Sequence, residues 1–300
     1  MVLIPVCNPG SRWGTFLKAL SNQTLRPYRC VVIDSESTDG AVELALNYGI
    51  TVHRISRDEF NHGATRQSGI NQFVGDADTV IFLTQDAILA DTDALQKLMA
   101  GLKEPSVAAV FGRQIPSADA TPIAAHARLF NYLTFDYTRS WSDIAEHGIK
   151  TCFLSNSFAA YKVKALLEVG GFPSNVILGE DMHLAARLIM AGQSISYQSL
   201  ASVYHSHNYS LFDEFKRYFD IGVFHSQNSW ILQKFGEVSR EGLKFLHSEF
   251  SYLLKIAPWR LPEAAFRTLL KVTGYRLGLM HYRFSLRACR ILSMNKGYWN

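Results

Sequence analysis

The sequence predicts an α/β fold with a mostly parallel central sheet and helices on both faces. Two observations lead to this prediction. Apolar, β-branched runs alternate with amphipathic segments through the first two-thirds of the chain, and this alternation is typical of a covered parallel sheet. Polar and acidic residues follow the predicted strands, while the strands themselves stay apolar. Ligands bind at the carboxyl ends of strands in such sheets, so we expect a binding site there.

The individual elements follow from composition and periodicity. Five apolar runs are predicted to be buried strands, at residues 2–6, 30–34, 51–55, 79–84 and 107–111. Four intervening segments have helical periodicity, at residues 13–21, 41–48, 64–73 and 94–102. We predict that Asp39 or Ser37 caps the second helix and that Gly63 starts the third. The aromatic segment 112–150 is predicted to be irregular, either covering the core or forming a lid or acceptor groove.

The rest of the chain changes character. A helix is predicted at 181–191, ended by Gly192, and two short strands at 194–197 and 202–204. From there the chain is predicted to be helical, at residues 211–235, 239–256 and 261–291. We therefore expect an α/β domain over 1–210 and a C-terminal helical extension over 211–300.

Composition excludes several classes of protein. The four cysteines form no CxxC pair, which argues against a zinc site or disulfide framework and favours a reducing compartment. No run approaches the ~18 apolar residues of a membrane span, and no secretory leader is apparent. We expect a cytoplasmic protein, either free or peripheral on a membrane.

The charge is distributed unevenly. Residues 243–300 hold ten Lys or Arg against two acids, Glu249 and Glu263, a net charge of +8, whereas the whole chain carries +4. Arg283, Arg287 and Arg290 are spaced to share one face of a predicted helix. A basic helix fits an anionic membrane surface, and equally a solvated face or an oligomer contact. Nucleic-acid binding is disfavoured, because the charge is confined to the tail and no nucleic-acid motif is present.

Several motifs together resemble the inverting family 2 glycosyltransferases of the GT-A fold. They occur in family order over about the first 210 residues: Leu3-Ile4-Pro5-Val6-Cys7-Asn8, Ile33-Asp34-Ser35-Glu36-Ser37-Thr38-Asp39-Gly40, Thr84-Gln85-Asp86, Val169-Gly170-Gly171-Phe172, Gly179-Glu180-Asp181 and the pair His205 and His207. The segments 60–66 and 204–208 look most like bacterial rhamnosyltransferases. Those enzymes use dTDP-L-rhamnose to extend lipid-linked O-antigen or capsule glycans, so a nucleotide-sugar donor and a lipid-linked acceptor are implied.

The resemblance implies a Mg²⁺ or Mn²⁺ ion near Asp86. Such hard cations prefer oxygen ligands and can neutralise a departing diphosphate. The family has Asp-x-Asp where this chain has Thr84-Gln85-Asp86, which leaves Asp86 as the ligand and Gln85 as a ribose contact. His205 and His207 are further candidate ligands. We expect them to face opposite sides of an extended segment, so that one reaches the metal.

Asp181 is the candidate general base for the acceptor hydroxyl. A helix N-terminus favours its ionised form, whereas burial and the neighbouring Glu180 raise its pKa. The alternative is simple helix capping.

The resemblance implies further donor-binding residues, some at the ends of the first two strands and others later in the sequence. Pro5, Asn8 and Asp34 match the family, while Ser35 or Glu36 stands where its second base-reading acid is expected. Arg66 is predicted to contact the diphosphate or the sugar, with an ion pair on the surface as the alternative. Asn156 and Glu180 are placed near the donor sugar, and Arg217 near the diphosphate.

Three other functions compete with this one. The same fold with a UDP-hexose or UDP-N-acetylhexosamine donor is one alternative, and a non-catalytic nucleotide-sugar-binding protein is another. A nicotinamide-dependent dehydrogenase is disfavoured, since no G-x-G-x-x-G follows the first strand.

Overall fold

The computed structural model describes residues 1–237 and 239–299. In this part of the chain a nine-stranded sheet has the order β3-β2-β1-β4-β8-β6-β9-β5, with β7 paired to β9. Its strands are β1 (Val2–Val6), β2 (Cys30–Ser35), β3 (Thr51–Ile55), β4 (Thr79–Leu83), β5 (Ile88–Leu89), β6 (Val107–Ile115), β7 (Tyr137–Arg139), β8 (Phe158–Lys162) and β9 (Ser194–Tyr204). Six strands run in one direction; β5, β7 and β8 oppose them. The predicted mostly parallel α/β sheet is confirmed.

Side-chain alternation along the strands produces two core layers. In β1, Leu3 enters one layer, and its neighbours Val2 and Ile4 enter the other. Phe82 and Ile81 of β4 divide in the same way. Because both faces are apolar, both must be covered, and helices lie on each.

The first four helices lie within two residues of their predicted bounds, whereas several of the later ones were not predicted. The helices are α1 (Trp13–Ser21), α2 (Ala41–Asn47), α3 (His62–Phe73), α4 (Ala94–Ala100), α5 (Pro122–Asn131), α6 (Ile144–His147), α7 (Val163–Glu168), α8 (Glu180–Met190), α9 (Leu211–Gln227), α10 (Ser229–Phe235), α11 (Ser239–Ile256), α12 (Leu261–Leu279) and α13 (Leu286–Leu292).

The N-caps of two helices differ from those predicted. Gly40, in the left-handed region, is the N-cap of α2, while Asp39 accepts the backbone N–H of Gly10 at 2.9 Å and that of Ala41 at 3.3 Å. Helix α3 begins before Gly63, because the Asn61 side chain accepts the N–H groups of Gly63 and Ala64. Asn is among the strongest N-cap residues.

The segment 112–150 is not irregular. Strand β6 continues to Ile115, and α5 and β7 lie within the segment. Thr121 starts α5 by accepting the N–H of Ala124. The two short strands predicted at 194–204 are one strand, β9, whose register against β6 shifts between Gly112 and Arg113. This bulge accounts for the interrupted pattern of β-forming residues.

The C-terminal helices pack on one another through glycines. A Cβ atom on Gly278 of α12 would lie 2.0 Å from the carbonyl oxygen of Phe219 in α9, and one on Gly222 would lie 2.2 Å from that of Tyr275. The two backbones can therefore approach only where no side chain intervenes. Among the described residues, no helix is both long enough and apolar enough to span a bilayer.

The two long helices predicted here are each divided. The helix predicted at 211–235 breaks at Asn228 into α9 and α10. The helix predicted at 261–291 ends at Leu279, and Ser285 starts α13 by accepting the N–H of Ala288. Arg283 therefore lies outside the helix that holds Arg287 and Arg290, so the predicted single stripe of three arginines is wrong. A serine that bonds the backbone ahead of it favours a new helix start over continuation.

Candidate active site

The site forms where β1, β2 and β4 end. Two loops join across this edge: Asn8 accepts the N–H of Thr38 at 2.8 Å, and its own N–H donates to Ser37 Oγ at 2.9 Å. Asn8 and Glu36 both have a positive φ, 45° and 55°, a conformation that Asn adopts more readily than most residues. The loops are therefore shaped by side-chain contacts rather than by continued strand pairing.

A cleft of about 750 Å³ opens beside these loops, lined by Asp34, Glu36, Ser37, Thr38, Arg54, Ile55, Ser56 and Arg57. Asp34 is buried and accepts the backbone N–H of Ser37 at 3.2 Å. The Glu36 carboxylate accepts the N–H of Arg57 at 3.2 Å. Ser35 is also buried, and its hydroxyl has no hydrogen-bond partner within the described chain. Pro5 lies in β1, paired in register with Ile33.

Gln85 joins the ends of β1 and β4. Its Oε1 accepts the N–H of Cys7 at 2.7 Å, and its Nε2 donates to the Cys7 carbonyl at 3.1 Å. Both ends of the amide are thereby engaged with the backbone. The structure thus gives Gln85 a clamping role, and the clamp fixes the position of Asp86 next to it; the expected ribose contact stays a prediction.

Asp86, His205 and His207 form one group. The Asp86 Oδ2 atom lies 3.3 Å from Nε2 of His205 and 3.8 Å from Nε2 of His207. One ligand atom from each residue lies within 4.8 Å of the other two. The expectation that the histidines face opposite sides is wrong. Residues two positions apart in an extended chain share a side, because the side-chain period is two.

A second contact orients His205. Its Nδ1 lies 2.8 Å from Oε1 of Gln114, and the Gln114 amide nitrogen donates to Ser155 Oγ at 2.9 Å. Since the Gln114 side-chain oxygen can only accept, Nδ1 is the donor in this contact, and Nε2 is the ring nitrogen that faces the Asp86 carboxylate and could ligate a cation. Hydrogen bonding of the second ring nitrogen is the usual support for a metal-ligating His.

The electrostatics fit the same ligand set. Burial, followed by the nearby His205, lowers the pKa of His207 to about 3, so this imidazole is neutral, as metal binding requires. Although burial raises the pKa of Asp86, the two imidazoles outweigh it and hold that pKa well below its usual range. Asp86 and His207 have 38% and 34% of their side chains exposed, so an ion can reach the group. One carboxylate and two imidazoles suit Mn²⁺ well and Mg²⁺ less well.

Two carboxyl groups sit at the start of α8, behind the left-handed Gly179. Asp181 Oδ2 accepts the N–H of Asn156 at 3.2 Å, and its Oδ1 accepts the N–H of Met182 at 2.8 Å. Burial and then the charge of Glu180 raise the pKa of Asp181 to about 7. Asp181 is partly exposed, whereas Glu180 is buried.

Glu180 is held in its charged form by Arg66. The Arg66 Nη1 lies 3.1 Å from Glu180 Oε1, and the two side chains are only 3% and 7% exposed. Burial alone raises the pKa of Glu180, but Arg66, then His62 and the Asn156 amide, lower it overall. Two neighbouring acids thus have opposite tendencies, an arrangement typical of sites that divide acid and base roles.

Arg66 and Asn156 lie elsewhere than expected. Arg66 forms an ion pair, the predicted alternative, but the pair is buried and not on the surface; its contact with the diphosphate or the sugar stays a prediction. The Asn156 amide donates to Glu180 at 3.1 Å and accepts from Tyr161 at 2.6 Å. Both ends of that amide are engaged beside the acids, which gives Asn156 a positioning role; its contact with the donor sugar stays a prediction.

Sequence reasoning missed two members of this site. Gln114 carries no motif, and only the pairing of β6 with β9 brings it to His205. Tyr209 stacks on His207, with ring centroids 5.1 Å apart, and Arg217 lies 5.6 Å from the Tyr209 ring. The available signal for Tyr209 was its position two residues after His207 in the sequence.

Comparison with known proteins agrees with this geometry. Glycosyl transferase family 2 matches residues 1–170. The chain is 47% identical over 300 residues to the O-antigen chain rhamnosyltransferase RfbN of Salmonella typhimurium, covering all of this chain and 95% of that protein. It is 46% identical, with the same coverage, to the O-antigen chain rhamnosyltransferase WbaN of Salmonella anatum.

Solved structures share the fold at lower identity. The mannosyltransferase PcManGT from Pyrobaculum calidifontis, in complex with GDP-Man and Mn²⁺, has a TM-score of 0.56 at 18% identity, over 99% of this chain and 84% of that one. TarS 1-349 of S. aureus has a TM-score of 0.55 at 16% identity, over 98% and 82%.

The sheet and its helices have the GT-A fold, which the solved structures share. Within that fold, the match over residues 1–170 and the near full-length relatives show the family. This chain belongs to glycosyltransferase family 2.

Proposed function

We propose that this chain transfers L-rhamnose from dTDP-L-rhamnose to a hydroxyl of a lipid-linked glycan, inverting the anomeric carbon. This chain is 47% and 46% identical, over its full length, to two O-antigen chain rhamnosyltransferases, and this similarity supports the choice of sugar and acceptor class. The observation that carries the chemistry is Asp181, a partly exposed carboxyl with a pKa of about 7 beside the buried, charged Glu180. A base with a pKa near the working pH is both available and strong enough to accept a proton.

In the proposed step, the acceptor oxygen bonds to the anomeric carbon as the bond from that carbon to the diphosphate oxygen breaks. The leaving dTDP takes the bonding electrons, and the hydroxyl proton moves to Asp181. Asn156 holds the base by its backbone N–H at 3.2 Å. Glu180 and Arg66 form a buried ion pair that keeps a fixed negative charge next to Asp181 and so preserves its basicity.

We further propose that Asp86, His205 and His207 hold Mn²⁺ or Mg²⁺. When bound, the ion neutralises charge on the departing diphosphate. This chain has one carboxylate where the family has the two of Asp-x-Asp. The three candidate ligands come from the ends of two strands, Asp86 after β4 and the two histidines after β9. Gln85 and Gln114 position Asp86 and His205 respectively.

For the nucleotide, we propose that the base lies in the cleft at the ends of β1 and β2, beside Pro5, Asn8 and Asp34. Either Glu36, which lines the cleft, or the Ser35 hydroxyl, which has no partner in the described chain, could replace the missing second base-reading acid. Glu36 already accepts the Arg57 N–H. A buried hydroxyl without a partner gains most from a ligand that supplies one.

A lipid-linked acceptor would lie at a membrane. We propose that the protein acts in the cytoplasm, peripherally on the cytoplasmic face of the inner membrane, where a lipid-linked glycan is accessible. Since the motif region 1–170 and the metal group lie before Leu211, we assign catalysis to 1–210 and support of the site to 211–300.

Donor specificity and Asp181→Asn test the proposal together. With a lipid-linked acceptor, wild type should turn over dTDP-L-rhamnose, and Asp181→Asn should lose about 10²–10⁴-fold in rate. The matched control is Asp76→Asn, an exposed acid outside the site. Turnover of UDP-hexose or UDP-N-acetylglucosamine instead of dTDP-L-rhamnose would refute the sugar assignment. Tight dTDP binding without turnover of any donor would favour a non-catalytic binding protein.

A further inference from the structure

Helices α11 and α12 leave two apolar stripes uncovered. On α11 the stripe consists of Leu243, Phe250 and Leu254, which are 70%, 54% and 49% exposed. On α12, Phe266 and Leu269 are 51% and 59% exposed. The spacings of seven and four on α11, and of three on α12, put each set on one helical face. Contiguous exposed apolar surface on a soluble protein usually marks an interaction site.

Both stripes face away from the body of the protein. Helix α11 packs on α5 with its other side, where Phe245 lies 4.9 Å from the His126 ring. Helix α12 packs on α9 through Gly274 and Gly278. Between the two helices, the Lys271 amine lies 5.0 Å from the Phe245 ring. Each helix makes these contacts with side chains outside its stripe, so both stripes stay exposed, and together they are called the outer surface of the α11–α12 hairpin.

In residues 243–300 the acidic side chains are buried or paired, whereas basic side chains are exposed. Glu249 is 3% exposed, and Glu263 is paired with Arg260 and Arg267. Both acids of residues 243–300 are thus turned inward or neutralised. The exposed charged residues that remain are basic, and they include Lys255, Arg276, Arg283, Arg287, Arg290 and Lys296.

The hairpin turn carries a third signal. Trp259, between α11 and α12, is 72% exposed, although tryptophan is costly to leave in water. An exposed indole with neighbouring basic residues is characteristic of the membrane–water interface.

We propose that the outer surface of the α11–α12 hairpin docks on an anionic lipid bilayer, with Trp259 and the two stripes entering the interface and the basic residues facing the headgroups. Charge decides for lipid over a second copy, because two copies would bring together two surfaces of the same positive sign. The inference rests on the proposed peripheral location and deepens it, since it names the residues, all outside the catalytic group, that meet the membrane. It gives the helical extension the task of holding the active site near a membrane-borne acceptor.

Vesicle co-sedimentation tests the apolar part, using the full chain without any donor or acceptor. Wild type should bind phosphatidylcholine vesicles that contain phosphatidylglycerol, and much less those of phosphatidylcholine alone. Phe250→Glu combined with Phe266→Glu should lower the partition coefficient by at least about tenfold. Leu46→Glu combined with Leu167→Glu, at sites 55% and 45% exposed on α2 and α7, adds the same two charges elsewhere and should leave binding within about twofold, since distant charges are screened.

The charge and the tryptophan give independent readouts. Arg276→Ala and Lys255→Ala should each weaken binding by about fivefold, an effect that added salt should diminish. The fluorescence difference between wild type and Trp259→Phe should shift to the blue with anionic vesicles. Unchanged binding in the double Glu variant, with its circular dichroism intact, would overturn the proposal. A concentration-dependent dimer abolished by the same variant, without vesicle binding, would assign the surface to a second copy. Neither outcome depends on transferase activity.

Discussion

His205 is oriented by Gln114, whose side-chain oxygen lies 2.8 Å from the His205 Nδ1 atom. Gln114 belongs to β6 and His205 directly follows β9, so the parallel pairing of these two strands creates the contact. The Gln114 amide also donates to Ser155, the residue before Asn156, whose N–H binds Asp181. One short polar network therefore connects the candidate metal group to the candidate base.

The first prediction concerns this network. Gln114→Leu should weaken Mn²⁺ binding by about 10–100-fold, because the lost contact no longer fixes the His205 tautomer and ring orientation. Isothermal titration of the protein with MnCl₂ measures it directly. Gln198→Leu is the matched control, since that amide bonds Ser196 Oγ and does not touch the metal group. Equal affinities for the two variants would contradict the proposed role of Gln114.

The second prediction is a pH profile. Asp181 must be ionised to accept a proton, so kcat/KM should rise with pH through a midpoint of about 7. Glu180→Gln removes a neighbouring negative charge and should move that midpoint to lower pH. It should also lower the rate, because Arg66 is left without its partner, but that loss is separate from the shift of the midpoint. Glu168→Gln, at an exposed site on α7, should leave the midpoint in place. A merely structural role for Glu180 predicts a lower rate at an unchanged midpoint.

Much of the site was predictable because the strand ends are local features of the sequence. A short apolar run followed by Asp86 places that acid at the edge of a parallel sheet whatever the helices do. The same holds for Asn8 and Asp34. The motif order also predicted that Asp181 would begin a helix, and α8 starts one residue earlier at Glu180.

The rest depends on contacts between distant segments. Arg66 was expected at the donor because a guanidinium suits phosphate, and only the packing of α3 near α8 shows that it is buried against Glu180. The Cys7 backbone contact of Gln85 spans 78 residues. Where a polar side chain bonds to another part of the protein, the sequence shows which groups it can bond with but not which residue is its partner.

The third prediction follows from the same shifted carboxyl. Unfolded Asp181 loses its proton near 3.8, whereas the folded group loses it near 7. Between these values the folded state holds more protons, so this group makes the free energy of unfolding fall as pH rises. Asp181→Asn removes the effect and should raise the melting temperature by at least about 2 °C at pH 8. At pH 4 the gain should nearly vanish, and a gain independent of pH would contradict the raised pKa.

The last prediction concerns the glycine contacts that hold α12 on α9. Alanine is a better helix former than glycine by about 1 kcal/mol, yet a Cβ at position 278 would lie 2.0 Å from the Phe219 carbonyl oxygen. Overpacking of this kind costs about 1–3 kcal/mol, so Gly278→Ala should lower the free energy of unfolding.

Gly242 provides the matched control, because it lies in α11 with no atom within 4 Å of an added Cβ. Gly242→Ala should stabilise the protein by about 0.5–1 kcal/mol in the same urea titration. The same chemical change should thus have opposite signs at two helical positions. Stabilisation at both would mean that the α9–α12 backbones are not in close contact.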